Sequence, residues 1–449
     1  MNARRLLAAA AILVAAAALG VRSAPAGSSV LPRARGATHG TEISATTGPV
    51  AAEPPPGATV ARDEAHLRQL IDEGPAEIWL EARTYRTSLL VRRALSLRGR
   101  KGATLEGPGQ GTVLSVRAND VVIDNLVVRG SGKNFVSEDA AVRARGERVT
   151  IRHLFVDGTL FGVTLEACAA CVVEDSHVRG ADVAEVLRGD GIKLWEAHDS
   201  VVRRNYVERV RDIVVWYSRK ARLEHNVVRG SRYGTHFMYA HDSAVRESTL
   251  LDNVVGVFVM YSARLSVEDN VLAGARGAAG MGLGFKESDG VSVSGNTIVA
   301  NTTGLFLDRS PLDPTKHVVV RDNGIRLNQV AIALHGDANG VSFLANDLVN
   351  NASLIDITGG GDAMKLEFAG NHFSEYVGYD LDRDGAGDVP FTHARLSSEL
   401  ASDHPQIAFV HGTVAMTLLD VVARTFPLLS PRRILVDGRP AMRPLRSTK

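Results

Sequence analysis

The chain has 449 residues, with 51 Lys and Arg against 50 Asp and Glu, for a formal net charge of +1. A balance this even lacks the basic excess that a nucleic-acid partner demands, so no nucleic acid is expected. The length suits one extended repeat domain with a tail.

Met1-Asn2-Ala3-Arg4-Arg5 is a basic start, Leu6 to Leu19 an apolar Ala/Leu/Ile/Val run, and Ala24-Pro25-Ala26 a small-residue cleavage site. Together they predict a signal peptide over 1–26 and export from the cytoplasm. The run falls short of the roughly 20 apolar residues that a membrane span requires. Cleavage removes Arg4, Arg5 and Arg22, leaving 51 − 3 = 48 bases against 50 acids. Residues 27–60, rich in Ala, Gly, Ser, Thr and Pro with Pro54-Pro55-Pro56, read as a flexible tether.

A main domain is expected over 61–391. Asp63 to Ile71 carries acids in its first turn and Leu67, Leu70 and Ile71 at helical spacing. Short extended pieces follow at Glu77–Leu80, Ser88–Val91, Leu95–Leu97 and Thr104–Leu105. A helix before short strands suits an N-terminal cap, because the first coil of a solenoid otherwise exposes an open edge.

From Val113 onward, short Val/Ile/Leu strands alternate with Gly, Asn and Asp. Asn125, Leu154, Ser176, Asn205, Asn226, Ser248, Asn270, Asn296, Asn323, Asn346 and Asn371 mark successive repeats of 21 to 29 residues. Coils of that length hold three short strands with turns, which predicts an all-β parallel β-helix solenoid. Leucine-rich repeats have a similar period, but their L-x-x-L-x-L frame is absent. The marker Asn residues are expected to stack as inward amide ladders. Cys168-Ala169-Ala170-Cys171 in an exported chain fits a local disulfide or a buried thiol pair better than a redox or soft-metal pair.

Within the repeats, Trp216-Tyr217, Met238-Tyr239 and Met260-Tyr261 recur at a spacing of 22 residues. Strand alternation puts Ile213, Val215 and Tyr217 on one side and Val214 and Trp216 on the other. The outward side then carries Lys193 and Trp195, Trp216, His236 and Met238, and Phe258 and Met260 in successive coils. A Trp/Met stripe of this kind reads first as a partner surface, with Lys193, Trp195, Trp216, Tyr239, Phe258 and Lys286 as contacts. His236, Met238 and Met260 could also converge on Cu(I), which thioether and imidazole suit better than Mg or Ca. His198 and His241 open a repeated His-Asp-Ser triplet two coils apart. The rival reading is a secreted β-helix polysaccharide lyase or hydrolase, or a carbohydrate-binding protein. Its candidate residues, Asp190, Asp212, Lys193, Lys286, Glu287 and Asp289, are not expected to form a close carboxylate column in neighbouring coils.

After the repeats, Asp380, Asp382, Asp384 and Asp388, with Gly385, follow the start of a calcium loop, for structural calcium or a plain turn. Phe391 stands where the loop's last Glu belongs. The tail, 392–449, includes an apolar helix-like stretch from Thr413 to Leu429, interrupted by Asp420, Arg424 and Pro427. It is expected to cap the last coil or to dock on a membrane partner.

Gly189-Asp190-Gly191-Ile192-Lys193-Leu194-Trp195, Arg232-Tyr233-Gly234-Thr235-His236-Phe237-Met238-Tyr239, Gly256-Val257-Phe258-Val259-Met260-Tyr261-Ser262 and Gly282-Leu283-Gly284-Phe285-Lys286 resemble the nitrous oxide reductase maturation family NosD. The resemblance runs from about Ala61 to the tail, through Gly378-Tyr379-Asp380-Leu381-Asp382, Phe426-Pro427 and Leu435-Val436-Asp437. The CxxC pair and the Pro-rich tether depart from it. It implies a periplasmic, right-handed parallel β-helix with CASH-type repeats and no catalytic activity of its own. The implied partners are the membrane and ATPase subunits of an inner-membrane ABC transporter, a copper chaperone lipoprotein and nitrous oxide reductase. The implied role is assembly of the reductase's copper-sulfide centre.

Overall fold

The computed structural model describes residues 47–394, 400, 413–425 and 432–445. The expected signal peptide, most of the tether and Phe426-Pro427 lie outside them. The chain forms a right-handed parallel β-helix whose three faces are sheets of 14, 12 and 13 parallel strands. The first sheet runs from Val60–Ala61 to Glu367–Ala369, the second from Leu89–Val91 to Ser353–Thr358, and the third from Thr84–Arg86 to His372–Phe373.

Helix α1 (Glu64–Glu73) is capped by Asp63, whose carboxylate accepts from the His66 amide, and it buries Leu67, Leu70 and Ile71 against the first coil. Strict alternation in the second sheet sends Leu165, Leu194, Val215, Phe237, Val259, Phe285, Leu307 and Leu334 inward in register, all at most 1% exposed. Each coil thereby closes its apolar side against its neighbours.

The amide ladder forms at the marker positions. From Asn270 through Asn296, Asn323 and Asn346 to Asn371, each side-chain amide donates to the next carboxamide oxygen at 2.9–3.0 Å. A second ladder, Asn301 to Asn328 to Asn351, and a column of Ser218, Ser262, Ser288 and Ser310 line two further corners. Neither was part of the sequence expectation.

Three expectations about the ends require correction. The distal part of the presumed tether follows the solenoid instead of floating free. The Gly48 amide donates to the Asp175 carbonyl at 2.8 Å, Val50 exchanges hydrogen bonds with the Asn125 side chain, and Glu53 pairs with Arg100. Its peptide groups bond corner groups of coils that already have neighbours on both sides. The boundary at 391/392 cuts the strand Phe391–His393, which pairs antiparallel with Leu435–Asp437. That pair, and not the tail helix, meets the last coil. Asp437 accepts from the Asn371 amide and side chain at 2.9 Å, a carboxylate ending a ladder that has no further Asn. Helix α2 (Val414–Thr425) buries Met416 and Leu419 with Leu400 in a separate cluster. No described helix is long and apolar enough to cross a membrane. Cys168 and Cys171 form a disulfide, both side chains fully buried.

Candidate functional site

The second sheet places Trp195, Trp216, Met238, Met260 and Lys286 in one register column, and Lys193, Val214, His236 and Phe258 in the column beside it. Trp195 packs edge-on against Trp216 with ring centres 4.7 Å apart. Lys286 pairs with Asp308 at 3.3 Å, and hydrogen bonding to that carboxylate raises its pKa.

The tyrosines depart from the expected inward row. Strands end at Trp216, Met238 and Met260, and the next residue adopts φ of 51°, 49° and 51°, a left-handed turn that breaks alternation. Tyr217 and Tyr239 are exposed. Tyr217, Tyr239 and Tyr261 stack outside with successive ring centres 5.1 Å apart, beside the Trp/Met column. The inward position passes to Ser218, Ala240 and Ser262.

His236 is buried against the face. Its Nε2 lies 3.4 Å from the Met260 sulfur and its Nδ1 3.4 Å from Asp212 Oδ2. Asp212 in turn accepts a fork from Arg232 at 3.0 and 2.6 Å. Burial pushes the Asp212 carboxyl up, but the hydrogen bonds from His236 and Arg232 outweigh it and hold the carboxyl below the usual range. Tyr233 closes one side, edge-on to His236 and stacked on Phe258. With a carboxylate on one ring nitrogen, the other is directed at the thioether, the support that metal-binding imidazoles use. Met238 stands in register between Trp216 and Met260.

Asp190 and Asp212 lie on neighbouring coils but one position out of register: Ile192 faces Ile213, which sets Asp190 beside Arg211 and Asp212 beside Gly191. Each is fully engaged: Arg211 forks Asp190 at 2.8 and 2.8 Å as Arg232 forks Asp212. Glu287 pairs with Arg309, and Asp289 accepts from the Leu312 and Asp313 amides. Lys193, expected as an accessible partner contact, is only 5% exposed, with its Nζ 2.5 Å from Glu138. Glu138 and Arg211 carried no motif in the sequence, and the signal that would have found the two arginines is an Arg one coil beyond each acid. His198 and His241 are held two coils apart, with Arg219 between them, and each accepts a backbone N–H at 3.1 Å. Burial lowers the His241 pKa.

At the far end, one carboxylate oxygen from each of Asp380, Asp382 and Asp384 falls within 4.8 Å of the others. Asp388 turns back to the Leu381 amide, Arg439 pairs with Asp384, and Phe391 is buried in the core.

The family described as "Periplasmic copper-binding protein (NosD)" matches residues 168–378. A Pseudomonas aeruginosa protein named "Probable ABC transporter binding protein NosD" is 26% identical over 421 residues, covering 83% of this chain and 89% of its own. A Stutzerimonas stutzeri protein of the same name is 25% identical over 395 residues, covering 81% and 86%. Among solved structures, the A-module of Azotobacter vinelandii mannuronan C-5 epimerase AlgE4 superposes with a TM-score of 0.46 at 14% identity, over 68% of this chain and 96% of that one. The catalytic domain of a GH87 alpha-1,3-glucanase in complex with nigerose gives a TM-score of 0.48 at 12% identity, over 71% and 69%. The family match spans the whole face from Trp195 to Lys286 with its supports Asp212 and Arg232, and, with two relatives that run along most of the chain, it makes the chain similar to the NosD family.

Proposed function

We propose that this chain is a periplasmic accessory protein of an ABC transporter, acting with a copper chaperone lipoprotein to assemble the copper-sulfide centre of nitrous oxide reductase. The family description supports the periplasm and copper, and the relatives' names support the transporter. The observation that carries the copper part is the His236 Nε2 facing the Met260 sulfur at 3.4 Å while Asp212 takes the other ring nitrogen. Copper here is cargo, held transiently by His236, Met238 and Met260. The half-buried aromatic column around Trp195 and Trp216, with the exposed Tyr239 and with Phe258 and Lys286, is the surface offered to the partners. Arginine forks on Asp190 and Asp212 support a non-catalytic role, since neither acid is free to move a proton.

Two measurements test this reading. Nitrous oxide reductase purified from a strain lacking this gene is expected to be short of copper, and a fully loaded centre would refute the assembly role. Titrated with Cu(I), His236→Ala and Met260→Ala proteins are expected to bind at least about tenfold more weakly than the parent. Unchanged affinity removes the ligand assignment.

A further inference from the structure

Beside the aromatic column lies a group of hydrogen-bond donors for which copper has no use. In the second sheet Arg143 pairs with Thr164 and Thr164 with Lys193, so their outward side chains stack in successive coils about 4.8 Å apart. Val214 separates Lys193 from His236 in that column, which sets this group apart from the thioether site. The Lys193 ammonium lies 5.1 Å from the Trp195 ring centre and 5.9 Å from that of Trp216. Arg143 Nε, Thr164 Oγ1 and Trp216 Nε1 are buried and have no hydrogen-bond partner among the described residues.

Lysine, arginine and indole nitrogens only donate, so the complement to this group is a set of acceptor oxygens, and the two cations favour one that is charged. One carboxylate already plays that part. Glu138 Oε1 sits 2.5 Å from Lys193 Nζ. It comes from a loop, residues 130–139, that joins Val127–Arg129 to Ala140–Glu147. Asp190, the other acid near Lys193, has both oxygens on Arg211.

The loop has the build of a flap. It opens at Gly130, with φ of 77°, and closes at Glu138, with φ of 49°, both left-handed. Asp139 satisfies it internally, accepting from the Asn134 amide at 3.1 Å and the Ser137 hydroxyl at 2.7 Å. Its two ends are anchored: the Gly130 carbonyl accepts from the Gly109 amide, the Gly132 amide donates to the Gly111 carbonyl, Ser131 Oγ accepts from the Leu160 amide and the Asp139 carbonyl from the Phe161 amide. Between these ends, residues 133–138 meet the sheet through the Lys193 pair, two bonds from Arg143 Nη2 to the Ser137 and Glu138 carbonyls, and the edge of Phe135 on Phe161. Phe135 and Val136 are otherwise exposed at its tip. When residues 133–138 lift, Arg143 and Lys193 are released together, while Asp139 stays anchored through its carbonyl.

We propose that Arg143, Thr164, Lys193 and Trp216 form a binding site for a small free anion with carboxylate- or phosphate-type oxygens, and that Glu138 fills this site in cis until the flap opens. The site would bring an anionic ligand one coil from the His236 and Met260 pair, yet its existence does not depend on copper binding there.

The test uses the intact protein, with tryptophan fluorescence followed while malonate or inorganic phosphate is added at constant ionic strength in chloride. Glu138→Gln removes the internal competitor and keeps the shape of the side chain, so at least one probe is expected to bind it tenfold or more tightly than it binds the parent. Adding Lys193→Met in that background leaves no unpaired charge behind and is expected to abolish the gain. Thr164→Val in the same background, close in volume, is expected to weaken binding severalfold. The proposal is overturned if neither probe binds the Glu138→Gln protein more tightly than the parent. It is equally overturned if the Glu138→Gln, Lys193→Met protein binds as tightly as Glu138→Gln alone.

Discussion

Asn296→Leu is expected to cost about 3–5 kcal/mol, although leucine is nearly the same size and the site is fully buried. The Asn296 oxygen accepts from the Asn270 amide at 2.9 Å and from the Asn270 side chain at 3.0 Å. Its nitrogen donates to the Val267 and Ser294 carbonyls and to the Asn323 oxygen at 2.8, 3.0 and 2.9 Å. Leucine ends all five bonds and leaves the Asn270 amide buried with no acceptor. Each buried group orphaned in this way costs about 1–3 kcal/mol. Because a solenoid is stabilised between neighbouring coils, the loss is local: hydrogen exchange should accelerate most at the Asn270 amide, whose acceptor is removed. Ser288→Ala removes a single hydroxyl from another corner and should cost about 1 kcal/mol. Equal, small effects for the two substitutions would show that the ladder decorates the corner without stabilising it.

Arg232→Met is expected to cost about 3–5 kcal/mol at neutral pH, as for other buried pairs that lose one partner. The Asp212 side chain is 2% exposed, and the guanidinium supplies two of the hydrogen bonds that hold its charge. The pH dependence separates this cause from lost packing. In the parent the folded Asp212 pKa lies below the unfolded value near 3.9. It therefore adds stability above that unfolded value and loses it as the pH falls through the folded one. Without Arg232, burial dominates and raises the carboxyl, so the variant loses stability at neutral pH and recovers relative to the parent in acid. Denaturation at a series of pH values should show the gap closing below about pH 4. A gap that stays constant with pH would assign the loss to packing alone.

The features legible in the sequence are those written by local rules. A 22-residue spacing of the Trp/Met-Tyr pairs fixes coil length, and two-residue alternation places Phe237 and Val259 inside and Met238 and Met260 outside. An Asn at each corner predicts a ladder because only neighbouring coils can satisfy it. The same rule failed one residue later, at Tyr217, Tyr239 and Tyr261, where a left-handed turn ends the strand. Side chains alternate only while the strand continues, and the turn resets which side the next residue faces. The carboxylates were visible, but their arginines were not: Arg211 and Arg232 stand 21 and 20 residues beyond Asp190 and Asp212, and nothing in their flanking residues marks the pairing.

By itself, the sequence determined the solenoid, its period, its inward apolar rows and the outward Trp195, Trp216, Met238, Met260 column, since each follows from strand geometry repeated coil after coil. Only the tertiary structure decided what that column can do. It turned His236 toward Met260 by placing Asp212 behind it, buried Lys193 under Glu138 from 55 residues away, and ended the Asn ladder on Asp437, 66 residues beyond Asn371. The last two contacts join segments that no repeat relates, and burial makes each of the three depend on a partner that the local sequence does not name.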